Sequence, residues 1–157
     1  MTEAVTVETR HEETTEEFPD HLPAALVELL QERGCSPDTL YEKLGMRITE
    51  ATAERASGTM PVEGNTQPYR LLHGGASLAF AETLASIAAI LHAGRTRVAV
   101  GAEVSATHHR PARSGLVHGE ATAIHLGPTT ATYEVLIKDA RQRRLCTVRV
   151  SCAIRPL

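Results

Sequence analysis

The chain has 157 residues, 42% hydrophobic residues and a formal net charge of −3, which fits one domain with its own hydrophobic core. Such a weak acidic balance gives no reason to expect nucleic acid or an anionic membrane as the main partner. The three cysteines form no CxxC pair, and no apolar run follows a basic start as in a signal peptide. We therefore expect a cytoplasmic protein without a disulfide framework.

The first part of the chain is expected to contain a polar tail and short helical segments. Residues 1–20 include four closely spaced glutamates and are predicted to be disordered. Residues 21–33 carry leucines and alanines at helical spacing, and Gly34 then ends the helix. Ser36 is the predicted N-cap of a second short turn that reaches Leu44.

The strongest helix signal in the sequence runs from Gly75 to His92. Its apolar residues point in nearly all directions, which predicts burial on most sides. Residues 46–62 before it alternate loosely and are predicted to form one strand. Four more strands are predicted after it: Val98–Thr107, Leu116–Leu126, Thr130–Asp139 and Leu145–Ile154.

One buried helix among strands joined by tight turns favours an α+β architecture. Antiparallel strands of this kind can form a curved sheet that wraps around one long central helix. Residues 21–157 are predicted to form this single domain.

Glu82 is the one charged residue, histidines aside, between Arg70 and Arg95, and it lies in the middle of the apolar helix. A buried carboxylate loses several kcal/mol of solvation unless it is paired or functional. The isolated position therefore makes Glu82 a candidate catalytic group. The alternative is a carboxylate that simply reaches solvent or a structural partner.

Two further features accompany the carboxylate. Gly74 and Gly75 follow His73 at the helix start, where unpaired N–H groups and the helix dipole favour developing negative charge on a carbonyl oxygen. The alternative is a glycine-rich junction needed only for turn geometry. Ser86 follows Glu82 by one helical turn and could hold a water beside it, or could bond back to its own helix.

The remaining polar residues give weaker indications. His108 and His109 are adjacent and point to opposite faces of a strand, and the sequence has no HExxH pattern, so no metal site is predicted. Arg110 and Arg113 lie on either side of Pro111 in a turn, where they could bind phosphate or merely be solvated.

The segment LLHGGASLAFAETLAS, with HGG and a later glutamate, resembles the hotdog-fold acyl-CoA thioesterases. It is most similar to the branch of the Arthrobacter-type 4-hydroxybenzoyl-CoA thioesterases and the phenylacetate-pathway thioesterases. The segments HHRPARSG, IHLGPTT and RLCTVRVSCAIRP also resemble that branch. The resemblance extends from Met46 to Pro156 and implies a hotdog fold.

The resemblance also implies roles for particular residues. Glu82 matches the catalytic carboxylate, as nucleophile or general base, and the backbone N–H of Gly74 matches the group that polarises the thioester carbonyl. Gln67 matches a glutamine that holds the carbonyl or the water, and Ser86 stands where the Arthrobacter type has threonine. Four residues are assigned to the coenzyme A site: Arg110, Arg113, Thr129 and Thr130.

The expected reaction is hydrolysis of an acyl-CoA, with hydroxybenzoyl-, phenylacetyl- and dihydroxynaphthoyl-CoA as candidates and without a cofactor. A hotdog dehydratase is an alternative enzyme, because His73 directly before Gly74 could serve as its catalytic histidine. A non-catalytic acyl-CoA-binding protein is a third possibility. The joint presence of Glu82, Gln67 and a hydroxyl at Ser86 argues against it.

Spacing along the helix adds one inference. Gly74 and Glu82 are about 12 Å apart at 1.5 Å per residue, too far for both to touch one carbonyl group. If both act on one substrate, they come from two subunits, and the active unit is at least a dimer. The resemblance extends this expectation to a homotetramer that is a dimer of dimers.

Overall fold

A computed structural model describes residues 17–157. The predicted disordered tail lies mostly outside these residues, and its disorder stays a prediction. The elements in chain order are α1 Ala24–Glu32, α2 Leu40–Lys43, β1 Arg47–Ala51, β2 Arg55–Pro61, α3 Gly74–Ala93, β3 Arg97–His108, β4 Leu116–Leu126, β5 Thr130–Lys138 and β6 Arg144–Pro156.

The strands form one antiparallel sheet with the order β1-β2-β4-β5-β6-β3. The sheet curves around α3, so the predicted α+β hotdog architecture is confirmed. Strands β1 and β3 form the two edges of this sheet. The 12-residue β3 is bonded to β6 on one side, and its other side faces outward.

Helix α3 fills the concave side of the sheet because its inward positions are small or apolar. Ala81, Leu84, Ala85 and other residues of this helix are fully buried. On β4, a Cβ at Gly119 would come within 2.7 Å of the Phe80 ring, so the missing side chain lets the helix approach the strand. The helix is long and apolar enough to cross a membrane, but half of that stretch is buried inside the protein, as expected of a core helix.

Two predictions about local structure were wrong. Residues 46–62 form two strands instead of one, because the chain reverses between Ala51 and Arg55. This turn lacks glycine and proline and is closed by Thr52, whose hydroxyl accepts a hydrogen bond from the Arg55 N–H at 3.1 Å. Ser36 does not cap α2 either: Thr39 is at its N-cap, and the Ser36 hydroxyl accepts from the Asp38 N–H.

Helix α1 lies across the side of α3 that the sheet leaves uncovered. Leu26 is buried within the same core as α3. Polar contacts hold the end of α1 in place: Arg33 donates to the carbonyl oxygens of Gly94 and Arg97, both at 2.6 Å. Arg95 also pairs with Glu28 and Glu32 of α1. The N-terminal segment is therefore part of the domain, and it borders the region that contains Glu82.

Candidate active site

Glu82 is half-buried on the side of α3 that faces the edge strand β3. Its carboxylate lies directly against Gly101, where an added Cβ would overlap Oε1. Gly101 adjoins a β-bulge in the pairing of β3 with β6. Across residues 17–157, no hydrogen bond or ion pair engages the Glu82 carboxylate. It is thus held in position by packing while its oxygens stay available to a ligand or water.

Ser86 and Cys152 lie beside this carboxylate. Cys152 is on β6 directly opposite Gly101, and its thiol is hydrogen-bonded to the Ser86 side chain. Burial raises the pKa of the Cys152 thiol, Ser86 partly lowers it, and the nearby charge of Glu82 raises it further. The thiol therefore stays protonated near neutral pH and is not a nucleophile. Sequence reasoning did not place Cys152 beside Glu82.

The start of α3 presents one N–H group without a partner. The His73 ring accepts a hydrogen bond from the Gly75 N–H through Nδ1 at 2.8 Å, and the His73 carbonyl oxygen accepts from Ala76 and Ser77. Within the described part of the chain, nothing accepts the Gly74 N–H. This group lies at the positive end of the helix dipole, where it can donate to an oxygen that gains negative charge.

A cleft of about 340 Å³ surrounds the helix start. Gly74, Gln67, His108 and Arg110 are among its lining residues. The His108 ring packs on Gly74, so that an added Cβ would lie 3.0 Å from Nε2. Sequence reasoning missed His108, because a histidine at a strand end is usually structural. A signal was nevertheless available in the adjoining HHRPARSG segment.

Glu82 opens into a different cleft of about 390 Å³. Thr83, Ser86 and Tyr41 line this second cleft, which shares no lining residue with the cleft around Gly74. One protomer therefore brings Gln67 together with Gly74, and Ser86 together with Glu82, but keeps the two pairs apart. This agrees with the helical spacing of about 12 Å.

The position of His73 bears on the dehydratase alternative. The ring caps the helix start, nine residues before Glu82 and about 13 Å from it along the helix. A histidine and a carboxylate that share one proton-transfer site must be within hydrogen-bond reach of the same substrate atoms. Within one protomer these two residues do not satisfy that requirement.

The four candidate coenzyme A residues lie in two groups. The Arg110 guanidinium donates to the Arg144 carbonyl oxygen at 2.9 Å, near the start of β6, and Arg113 lines a neighbouring basic cleft. Thr129 accepts a hydrogen bond from the Ile154 N–H near the end of β6, with Thr130 beside it. Ten residues of strand separate the two ends, about 33 Å. The arginines and threonines of one protomer therefore do not reach the same small group.

No three His, Cys, Asp or Glu side chains of residues 17–157 are grouped so that they could hold a metal ion. The chemistry available from these residues themselves is that of an unpaired carboxylate, a hydroxyl and a backbone N–H at a helix start. This set suits attack on a carbonyl carbon with stabilisation of the resulting oxyanion.

The chain is similar in sequence to known thioesterases. Residues 69–146 match the model of the thioesterase superfamily. The chain is 43% identical over 120 residues to the proofreading thioesterase EntH of Klebsiella pneumoniae, covering 76% of this chain and 88% of that protein. It is 44% identical to EntH of Cronobacter sakazakii over the same shares of the two chains.

Solved structures with the same fold are also thioesterases. A mutant thioesterase, PA1618, from Pseudomonas aeruginosa has a TM-score of 0.75 and 35% identity, over 84% of this chain and 94% of that chain. The thioesterase HI1161 from Haemophilus influenzae has a TM-score of 0.75 and 31% identity, over 87% and 94%. The similarity includes both α3 and the sheet around it.

The burial of the cysteines leads to a testable prediction. Cys35 is exposed, whereas Cys146 and Cys152 are buried and burial raises the pKa of Cys146 to about 11. Because the thiolate is the reactive form, a maleimide at pH 8 should label one cysteine per native chain quickly and all three after denaturation. Mass spectrometry counts the labels. Fast native labelling of Cys35→Ser would contradict this description of Cys152.

Proposed function

Since this chain belongs to the thioesterase superfamily and is a thioester hydrolase, we propose that it hydrolyses acyl-CoA thioesters with Glu82 as the catalytic carboxylate. The observation that carries the proposal is the position of Glu82. Its carboxylate is fixed between α3 and Gly101, has no partner within residues 17–157, and opens into a cleft beside Ser86. An unpaired carboxylate that is held by packing and opens into a cleft supports a reacting role.

The chemistry requires two groups that one protomer keeps apart. Glu82 attacks the thioester carbonyl and releases coenzyme A as its thiol, and water then cleaves the acyl-enzyme anhydride. Alternatively, Glu82 removes a proton from the attacking water. In either case the carbonyl oxygen becomes negative and is stabilised by the Gly74 N–H of a second copy. Gln67 lines the same cleft as Gly74, which supports a role for it in holding the carbonyl or the water.

The exposed side of β3 offers a way for two copies to meet. An edge strand presents unpaired N–H and C=O groups that a second copy can bond in antiparallel fashion. Each α3 is fixed to its own sheet, with Glu82 beside Gly101 and Gly74 beside His108. If β3 pairs with β3 of the second copy about a point between Val104 and Ser105, His108 of one chain lies opposite Gly101 of the other. This pairing brings the helix start of one chain toward Glu82 of the other.

The remaining assignments are proposals of the same kind. Arg110 and Arg113 contact the phosphates of coenzyme A, while Thr129 and Thr130, about 33 Å away along β6, contribute to that site from another subunit. Such sharing fits a tetramer of two dimers. The resemblance to the Arthrobacter-type branch makes aryl groups one candidate class for the acyl group. The EntH relatives are named proofreading thioesterases, and this chain shares with them the hydrolysis of a thioester.

The first prediction from this proposal concerns Glu82. Glu82→Gln keeps the size of the side chain but removes the charge that attacks or accepts a proton, so turnover should fall by about 10²-fold or more. Release of coenzyme A, followed with a thiol reagent, measures this. Glu120→Gln changes a half-buried glutamate on β4 that is paired with Arg55; it is the matched control and should keep wild-type turnover. Near-wild-type turnover of Glu82→Gln would exclude Glu82 as the catalytic carboxylate.

The second prediction concerns the shared site. Gly74→Pro removes the N–H, and proline is well tolerated at the first position of a helix, particularly after extended His73. Gly74→Pro and Glu82→Gln homodimers should each be nearly inactive. When they are mixed at random, half of the dimers carry one intact site of two, so activity should recover to roughly a quarter of wild type.

Gly74→Ala is the control for this experiment, because it adds the same Cβ against His108 but keeps the N–H. It should retain most of the activity that Gly74→Pro loses. Mass spectrometry of differently tagged chains verifies that mixed dimers have formed. If the mixed population remains inactive, both residues serve one site from one chain.

The third prediction concerns the nucleotide end of the substrate. Arg110→Ala should raise KM for an acyl-CoA much more than KM for the same acyl group on N-acetylcysteamine, which has no phosphate for a guanidinium to bind. Arg55→Ala, which removes an exposed arginine paired with Glu120 on the sheet, serves as the control. An equal effect of Arg110→Ala on both substrates would remove Arg110 from the coenzyme A site.

A further inference from the structure

A third cavity, of about 290 Å³, lies between the N-terminal segment and α3. Its walls are mostly apolar, and its lining residues include Phe18, Leu22, Leu26, Leu30, Ile87 and Ile90. None of these residues takes part in the chemistry proposed above. The N-terminal wall of the cavity belongs to a part of the chain that lies outside the resemblance described from the sequence.

The cavity continues into the cleft of Glu82. Thr39, Tyr41, Thr83 and Ile87 line both spaces. Thr83 directly follows Glu82, and its hydroxyl donates its proton to the Ala79 carbonyl oxygen at 2.8 Å within the helix. A group bound to a carbonyl carbon at Glu82 can therefore extend directly into the cavity.

The Tyr41 hydroxyl in the wall of this cavity also has hydrogen-bond partners. The Tyr41 hydroxyl is hydrogen-bonded to the His21 ring and accepts a hydrogen bond from the Ile48 N–H at 3.4 Å. Burial raises the pKa of this hydroxyl, so it stays neutral. Because most of the cavity wall is apolar, a ligand hydroxyl placed there would lose its water and find few hydrogen-bond partners in exchange. The walls therefore suit hydrocarbon.

Polar contacts hold α1 in place and so give this cavity a defined shape. Arg33 donates to the carbonyl oxygens of Gly94 and Arg97, and Arg95 pairs with Glu28 and Glu32. These contacts join α1 to the segment between α3 and β3. The distance between the two helices, and with it the width of the cavity, is thereby fixed at the Arg33 end of α1.

We propose that this cavity holds the hydrocarbon part of the acyl group and that α1 sets which acyl groups the enzyme accepts. This rests on the proposed function, since it places the reacting carbonyl at Glu82. A cavity of about 150 Å³ accommodates benzene, so this one accommodates a chain of about eight to twelve carbons without hydroxyl groups. Such acyl-CoAs are the substrates that the cavity favours.

The test compares kcat/KM across straight-chain acyl-CoAs from butyryl to hexadecanoyl. Wild-type enzyme should show an optimum near decanoyl. Leu30→Trp narrows the cavity and should lower the decanoyl to butyryl ratio of kcat/KM by about tenfold, as expected for lost or crowded methylene groups. Gln31→Trp is the matched control: it adds the same side chain at the neighbouring exposed position and should leave the ratio unchanged.

Leu30→Ala enlarges the cavity and should move the optimum toward longer chains, a shift opposite to that of the tryptophan variant. Cys35 gives a measurement that needs no turnover, because this exposed cysteine lines the cavity. The non-hydrolysable thioether S-decyl-CoA should slow maleimide labelling of Cys35, whereas coenzyme A alone should not.

The results separate this proposal from the proposed function. One outcome would overturn the acyl cavity alone. In it, hydrolysis depends on Glu82, but both Leu30 variants keep the wild-type decanoyl to butyryl ratio of kcat/KM and S-decyl-CoA does not protect Cys35. Opposite shifts in the two variants with protection of Cys35 would support it. If S-decyl-CoA protects Cys35 but hydrolysis survives Glu82→Gln, the catalytic role of Glu82 would be overturned and the acyl cavity would be kept.

Discussion

The structure depends on the burial of α3 against the concave face of the sheet. The helix can lie there because its inward residues are small or apolar and because Gly119 leaves room for Phe80 and Leu84. Residues of this helix and of the sheet together form the core, and their burial is stabilising by roughly 25 cal/mol per Å² of apolar surface. A charged residue is tolerated only where the sheet ends, and Glu82 lies at that place, beside the edge strand β3. The constraint that builds the core therefore also determines where a carboxylate can be exposed to substrate.

The same helix explains which features the sequence predicted. An apolar pattern with one carboxylate indicated both the core helix and the residue that faces the edge, and the strand patterns after it were regular enough to be recognised. The turn at Thr52 was missed because a threonine side chain closes it without glycine or proline. His108 and Cys152 were missed for another reason. Cys152 lies opposite Gly101 through strand register, and His108 contacts Gly74 where α3 packs on the sheet. Neither relation can be derived from the spacing of residues in one strand.

The separation of Gly74 from Glu82 was predictable because it follows from helical rise alone. The structure adds the direction in which the missing half of the site lies. Both residues are next to β3, through His108 and Gly101, and β3 is an edge. In the proposed dimer, a two-fold axis across that edge relates the helix start of one copy to the middle of the other. The glycine at position 101 is then required twice, for the close approach of Glu82 and for a strand regular enough to pair beyond the bulge.

The cavity under α1 modifies what the resemblance implies about the acyl group. An aryl group with ring hydroxyls would place polar groups against Leu22, Leu26 and Leu30, where Tyr41 and Thr83 already have partners. Hydrophobic pockets discriminate between chain lengths by only about 1–3 kcal/mol per methylene and reject an added hydroxyl about as weakly. Such a site gives a graded preference for hydrocarbon rather than a single substrate. In the proposed acyl cavity, variation in α1 can change this preference without altering Glu82, Ser86 or the helix start.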